Sequence, residues 1–87
     1  MTADWPPEGA VVVPGAEPWS AAGGPHGALV LHGFTGNCSG VRPVAEALHA
    51  VGFAIEVPLL PGHGTKVEDL LPTTFDDWYE AAERSLA

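Results

Sequence analysis

The most constraining feature of this sequence is an uninterrupted apolar run at residues 28–31, which ends at a His-Gly pair and passes into a loop of small residues. The run has the length of a strand, and its side chains do not alternate between apolar and polar. That pattern is typical of a strand covered on both faces, as in a parallel sheet flanked by helices. Ligands bind outside the carboxyl ends of such strands. The residues at that position are His32, Gly33, Phe34 and Thr35.

The next segment predicts an amphipathic helix, because apolar side chains recur with helical spacing along one face. Asn37 or Ser39 is expected to cap its N-terminus. Pro43 suits the first turn, and Gly52 suits a left-handed residue after the last turn. The apolar stripe consists of Val41, Val44, Ala45, Leu48 and Val51.

A second strand is predicted over residues 53–57, another largely apolar run. A strand, a helix and a strand in this order form a right-handed parallel unit in nearly all folds, so the predicted fold class is α/β. The loop after the second strand contains Gly62, His63 and Gly64 and lies at the same sheet edge as Phe34. We therefore expect the two loops to line one crevice.

Weaker signals precede this unit. Residues 1–10 are interpreted as a flexible leader. Residues 11–13 and 17–20 predict two short strands separated by a Pro-Gly turn, and an antiparallel arrangement is expected for them.

A last helix is predicted to begin at Thr73 or Thr74, each of which has an aspartate at capping-box spacing. Its buried face is expected to contain Trp78, Tyr79, Ala82 and Leu86. The sequence ends inside this helical pattern, so the helix is expected to be truncated. Residues 11–87 are accordingly interpreted as part of one domain that is incomplete at its C-terminus.

Charge and composition restrict the partners. Eleven acidic residues stand against three Lys and Arg, for a formal charge of −8. Nucleic acids and anionic membranes are therefore unexpected partners. No apolar run approaches the roughly 20 residues that span a bilayer, so membrane insertion is not expected.

The lone Cys38 cannot form an internal disulfide, which favours a cytoplasmic location. So short an α/β chain is expected to leave one sheet edge uncovered, through which it could self-associate.

Three motifs in fixed order carry a family resemblance: LVLHGFTG at residues 29–36, PGHG at residues 61–64 and TFDDWY at residues 74–79. Together they resemble the N-terminal part of an α/β-hydrolase, in particular a serine hydrolase of the bacterial carboxylesterase or monoacylglycerol lipase type. The resemblance covers about residues 11–87. It implies that a small carboxylic ester is the substrate, and no cofactor or metal is expected.

The resemblance also implies roles for the loop residues. The backbone N–H of Phe34 would be one donor of an oxyanion hole, which stabilises the tetrahedral intermediate. Gly33, Phe34 and Thr35 would contact the substrate. The residues interpreted as shaping the loops are His32, Gly62, His63 and Gly64. The nucleophile, acid and catalytic histidine of this family come later in the chain, and the sequence has no G-x-S-x-G motif, so the chain alone is expected to be inactive.

Several alternatives remain open from the sequence. Cys38 or Ser39 could act as a nucleophile, although no spaced base accompanies either. Trp78 and Tyr79 could line a lipid-binding cleft, although packing is the simpler interpretation. Other members of the fold hydrolyse epoxides, haloalkanes, amides or carbon–carbon bonds. A non-catalytic module that pairs through its open sheet edge is a further alternative.

Overall fold

Three short strands form one mixed sheet. One α-helix lies between the second and third strands in the chain, and a second α-helix follows the third strand. The computed structural model describes residues 5–86. In chain order its elements are β1 (Trp19–Ala21), β2 (Gly27–Leu29), α1 (Arg42–Ala50), β3 (Ala54–Val57) and α2 (Phe75–Leu86), with 3-10 turns at Cys38–Gly40 and Val67–Asp69.

The central strand of the sheet is β3, and the strand order is β1-β3-β2. Strand β2 runs parallel to β3 with Gly27 opposite Ala54, which confirms the predicted parallel strand-helix-strand unit. The N–H of Val30 donates to the carbonyl of Glu56 at 3.0 Å and extends this ladder beyond the end of β2. The chain after β2 therefore leaves the sheet beside the chain after β3.

The N-terminal strand prediction is partly wrong. Residues 11–13 form no strand, because the N–H of Val13 donates to the carbonyl of Gly64 at 2.7 Å and so joins a loop instead of the sheet. The following turn, closed by the bond from Ala16 N–H to the Val13 carbonyl, redirects the chain. Strand β1 overlaps the second predicted strand, residues 17–20, but begins two residues later and ends one residue later, and it pairs antiparallel with β3 rather than with residues 11–13.

A small core lies on the face of β3 that packs against α1. Its buried members are Cys38, Ala45, Ile55, Val57 and Leu59. Along β3 the buried residues alternate with half-buried Ala54 and Glu56, which belong to the opposite face. Leu31 is exposed to 43%. The prediction that residues 28–31 are covered on both faces of the sheet is therefore wrong at Leu31 within the described residues 5–86.

Helix α1 confirms the predicted helix but not its cap. The side chain of Asn37 accepts the N–H of Ser39 at 2.9 Å, so it caps the 3-10 turn at Cys38–Gly40 instead of α1. Pro43 lies in the first turn of α1, and Gly52 has the expected positive φ of 107°. Two members of the predicted stripe are exposed, Val44 to 58% and Val51 to 73%.

Helix α2 begins with the capping box of Thr74 and Asp77. The N–H of Thr74 donates to Asp77 Oδ2 at 2.8 Å, and the N–H of Asp77 donates to Thr74 Oγ1 at 3.4 Å. The predicted buried face is wrong at Tyr79, exposed to 55%, and at Leu86, exposed to 71%. Within residues 5–86, neither helix combines the length and the apolar character that a membrane span requires.

Candidate functional site

Two loops meet at the carboxyl ends of β2 and β3. The first loop comprises residues 30–37 and the second loop comprises residues 58–66. Because β2 and β3 are parallel neighbours, both loops leave the sheet at the same edge. The structure thus brings the predicted site residues of both motifs together.

His32 joins the first loop to the second. Its ring is buried, and its Nε2 accepts the N–H of Leu60 at 3.1 Å. Since Nε2 accepts, the proton of the neutral ring is on Nδ1, which donates to the carbonyl of Gly33 at 2.9 Å. Burial lowers the pKa of His32 below its ordinary value of 6.5; the bond to Gly33 opposes this shift and the proximity of His63 adds to it.

His63 makes the matching connection in the opposite direction. Its buried Nε2 accepts the N–H of Thr35 at 3.1 Å, and its Nδ1 donates to the carbonyl of Pro61 at 3.0 Å. The centroids of the two imidazole rings, His32 and His63, lie 4.8 Å apart. We call these two residues the crossed histidine pair, because each accepts a backbone N–H from the loop that carries the other.

A tight turn at residues 33–36 carries the centre of the first loop. The N–H of Gly36 donates to the carbonyl of Gly33 at 2.9 Å. Thr35, at the third position of this turn, has φ of +65°, and no other non-glycine residue of the described chain has positive φ. Because φ of Phe34 is not positive, this combination defines a type II turn. Positive φ is unfavourable for a β-branched residue, so surrounding contacts must maintain it.

Phe34 occupies the second position of this turn and faces solvent. Its N–H has no acceptor among residues 5–86. The side chain is 65% exposed, and its ring centroid lies 5.0 Å from that of Trp78 and 6.1 Å from that of His63. Phe34 therefore combines an exposed apolar ring with an unpaired amide in the first loop.

Two tryptophans hold the second loop in place. The indole N–H of Trp78 donates to the carbonyl of Pro61 and to Thr73 Oγ1, each at 3.1 Å. The indole N–H of Trp5 donates to the carbonyl of His63 at 2.8 Å. Sequence reasoning treated Trp78 mainly as a packing residue and missed the two indole bonds to the second loop, because they join residues 17 and 58 apart in the chain.

Two glycines of the second loop have a left-handed backbone conformation, and one of them also has no space for a Cβ atom. Gly62 has φ of +80° and Gly64 has φ of +83°. A Cβ atom at Gly62 would lie 2.8 Å from the carbonyl oxygen of Asp69, so a larger residue is excluded there.

The alternative nucleophiles find no support in the geometry. Cys38 is buried, and burial raises the pKa of its thiol to about 11, with Glu17 adding to the shift and Arg42 opposing it. Ser39 Oγ donates to Asn37 Oδ1 at 2.6 Å, and no histidine bonds to it in the described chain. Within residues 5–86 no three His, Cys, Asp or Glu side chains are grouped so that they could hold a metal ion.

The chain is similar to known ester hydrolases. It is 49% identical over 72 residues to a thermostable monoacylglycerol lipase of Bacillus sp. strain H-257, a match that covers 83% of this chain and 29% of the lipase. It is 39% identical over 70 residues to a carboxylesterase of Bacillus subtilis strain 168, covering 80% of this chain and 28% of the esterase. No family model matches the chain.

Among solved structures, the chain is similar to one from the work on LipS and LipT, two metagenome-derived lipolytic enzymes. The superposition has a TM-score of 0.85 at 37% sequence identity and covers 87% of this chain and 31% of the other. The chain thus spans about three tenths of the length of the proteins it matches.

Proposed function

We propose that this chain, which belongs to the α/β-hydrolase family and corresponds to an N-terminal part of that fold, provides one oxyanion-hole donor of a serine carboxylesterase or monoacylglycerol lipase. Ester hydrolysis passes through a tetrahedral intermediate whose oxygen carries negative charge. Fixed N–H donors aimed at that oxygen lower the barrier, because they need no reorganisation when the charge develops. The donor assigned here is the backbone N–H of Phe34.

The observation that carries the proposal is the unpaired N–H of Phe34 in a constrained turn at the carboxyl edge of the sheet. The bond between Gly36 and Gly33 closes the turn, and His63 accepts the N–H of Thr35 within it. Gly33 has open space where a Cβ atom would stand, so a substrate could approach the backbone there. These features favour anion binding by the first loop.

The surroundings of Phe34 support an ester with an apolar acyl group. The ring of Phe34 is 65% exposed, and its centroid lies 5.0 Å from that of Trp78 in α2. An apolar acyl chain would bury part of this aromatic surface, gaining about 25 cal/mol for each Å² removed from water. The names of the similar proteins, a monoacylglycerol lipase and a carboxylesterase, agree with a small-molecule ester as substrate.

We place the activity in the cytoplasm, where the free thiol of Cys38 would stay reduced.

Catalysis also requires groups that residues 1–87 do not contain. The sequence has no G-x-S-x-G motif, so the nucleophile and the second oxyanion donor would come from a segment beyond them. The first test is therefore to determine the natural reading frame and to express its whole product through the natural stop codon. A serine at a G-x-S-x-G elbow supports the ester hydrolase, whereas an aspartate at that position would point to epoxide or haloalkane chemistry.

An exchange experiment tests the chain itself. The matching 72-residue segment of the Bacillus sp. lipase is replaced by that of this chain, and hydrolysis of a monoacylglycerol and of p-nitrophenyl butyrate is measured. A folded chimera that retains turnover supports the proposal. A chimera that folds, as judged by circular dichroism and its melting transition, but has lost turnover contradicts it.

A non-catalytic module is the second candidate, and the edges of the sheet favour it. Strands β1 and β2 are both edge strands, so each has a side that β3 does not pair. Such an edge can add a strand from another chain. Analytical ultracentrifugation of the natural product distinguishes the two functions: a stable dimer without ester hydrolysis supports the module, and an active monomer contradicts it.

A further inference from the structure

We infer that His63 is a positioning residue for the oxyanion-binding amide of Phe34, acting through the bond that it accepts from Thr35. The inference rests on the proposed function, because it concerns how the same donor is held. The contact itself is the 3.1 Å hydrogen bond from the Thr35 N–H to His63 Nε2.

The bond acts on the part of the turn that is most easily reoriented. In a type II turn the peptide between the second and third residues is rotated by about half a turn relative to a type I turn. Here that peptide joins Phe34 and Thr35, and its N–H is the one that His63 accepts. Rotation of this peptide would break the bond to His63.

Local preference alone would favour that rotation. The type II form places Thr35 at φ of +65°, a value that β-branched residues avoid, and a type I turn would relieve it. His63 opposes the relief because it offers an acceptor only while Thr35 keeps its present conformation. The rotation itself leaves the Gly33–Phe34 peptide in place, but a turn without the bond to His63 would also lose its connection to the second loop. Such a turn could move as a unit and would not hold the Phe34 N–H in one fixed direction, as oxyanion stabilisation requires.

His63 itself is well anchored. Its Nδ1 donates to the carbonyl of Pro61, and its own carbonyl accepts the indole N–H of Trp5 at 2.8 Å. Trp78 donates to the same carbonyl of Pro61 from α2. The acceptor is thus fixed by groups from the N-terminal segment, the second loop and α2, none of which belongs to the turn that it holds.

The kinetic test uses the whole product of the natural reading frame and, in parallel, the chimera described above. His63→Phe keeps a ring but removes the acceptor, whereas His63→Gln retains an amide oxygen near the position of Nε2. The oxyanion exists only in the transition state, so His63→Phe is expected to lower kcat about 10- to 100-fold with KM nearly unchanged, less than the loss of a whole donor. His63→Gln is expected to recover most of kcat. The control is His26→Phe at an exposed histidine.

A second measurement does not depend on activity. In the wild-type protein, NMR should detect scalar coupling between the amide nitrogen of Thr35 and Nε2 of His63. In His63→Phe, the backbone order parameters of Phe34 and Gly36 should fall from the rigid value of about 0.85 toward 0.6 or below. His63→Gln should keep them high.

The outcomes separate the inference from the proposed function. If the wild-type protein hydrolyses no ester, the proposed function fails, and NMR still decides whether His63 holds the turn. Absence of the coupling in the wild-type protein overturns the inference even if His63→Phe does not fold. So does a folded His63→Phe variant with unchanged kcat or unchanged order parameters. A rise in KM at constant kcat also overturns it, because that result would show ground-state binding instead of donor positioning.

Discussion

His32 and His63 are linked by a reciprocal exchange of backbone hydrogen bonds. The N–H of Leu60 in the second loop donates to His32 in the first, and the N–H of Thr35 in the first loop donates to His63 in the second, each at 3.1 Å. Both rings are neutral, with the proton on Nδ1. A proton on either Nε2 would point at the backbone N–H that this nitrogen now accepts, and the hydrogen bond would be lost. The crossed histidine pair therefore connects the loops only in its neutral form.

Acid is therefore expected to destabilise the fold through His32. The unfolded chain protonates this residue at the ordinary pKa of 6.5, and burial lowers the pKa in the folded state. The unfolded state thus binds more protons below 6.5. The contribution of His32 to the free energy of unfolding is complete above pH 6.5 and is lost as the pH falls through the lower folded pKa.

Urea denaturation of the whole product at several pH values between about 8 and 5 measures this loss. His32→Gln retains an acceptor near Nε2 but does not titrate, so its stability should depend less steeply on pH. His26→Gln, the same substitution at an exposed histidine, is measured alongside it for comparison. A His32→Gln curve parallel to the wild-type curve would show that His32 does not carry the dependence.

The elements that could be predicted from sequence are those specified by local patterns. The parallel pairing of β2 with β3 follows from two apolar runs joined by an amphipathic helix. The start of α2 follows from the capping box of Thr74 and Asp77. Residues 11–13 have strand-forming side chains as well, but they form no strand because Val13 bonds to a distant acceptor, the carbonyl of Gly64. No local pattern contains that information.

The candidate site was predictable in location but not in construction. Its loops follow from strands that end in glycine-rich motifs, and the sequence placed His32 and His63 in them. The bonds between the loops join residues 28 apart, and the indole bond of Trp5 joins residues 58 apart. The available signal was that each of two neighbouring parallel strands is followed by a histidine adjacent to glycine. The choice of partner atoms depends on the three-dimensional arrangement of the two loops, which no local pattern specifies.

Cys38 is expected to be unreactive in the native protein. With a pKa of about 11, on the order of one thiol in a thousand is ionised at pH 8. The thiol is also buried and directed at the carbonyl of Pro58, 3.5 Å away. Iodoacetamide should therefore modify Cys38 slowly in the folded state and readily in guanidinium chloride, as followed by intact mass. Rapid native modification would restore Cys38 as a candidate nucleophile.

Gly62→Ala is expected to destabilise the fold more than Gly9→Ala. The two glycines have similar φ, +80° and +86°. Either substitution incurs the strain of a left-handed conformation, roughly 1–2 kcal/mol. At Gly62 the new Cβ would also lie 2.8 Å from Asp69 O and 2.9 Å from Leu70 Cα, whereas at Gly9 nothing lies within 4 Å. Overpacking adds about 1–3 kcal/mol at Gly62 alone. Equal free energies of unfolding for the two variants would show that the second loop tolerates expansion.

Gly33→Ala should separate activity from stability. Nothing lies within 4 Å of a Cβ atom at Gly33, and its φ is not positive, so the fold should accept the methyl group. Removing glycine from the unfolded chain could even raise the free energy of unfolding by about 0.4–1 kcal/mol. The methyl group would nevertheless stand beside the Phe34 N–H, where the proposed substrate approaches.

A displacement of the reacting ester by about 1 Å costs on the order of 100-fold in rate, so kcat/KM of Gly33→Ala should fall by roughly that factor. The matched control is Gly40→Ala, which also has nothing within 4 Å of the new Cβ but lies in the 3-10 turn that precedes α1. Steady-state kinetics and urea denaturation are measured on both variants of the whole product. If Gly33→Ala retained wild-type kcat/KM at wild-type stability, no substrate could be approaching the backbone at Gly33, and the proposed oxyanion role of the neighbouring amide would lose its steric basis.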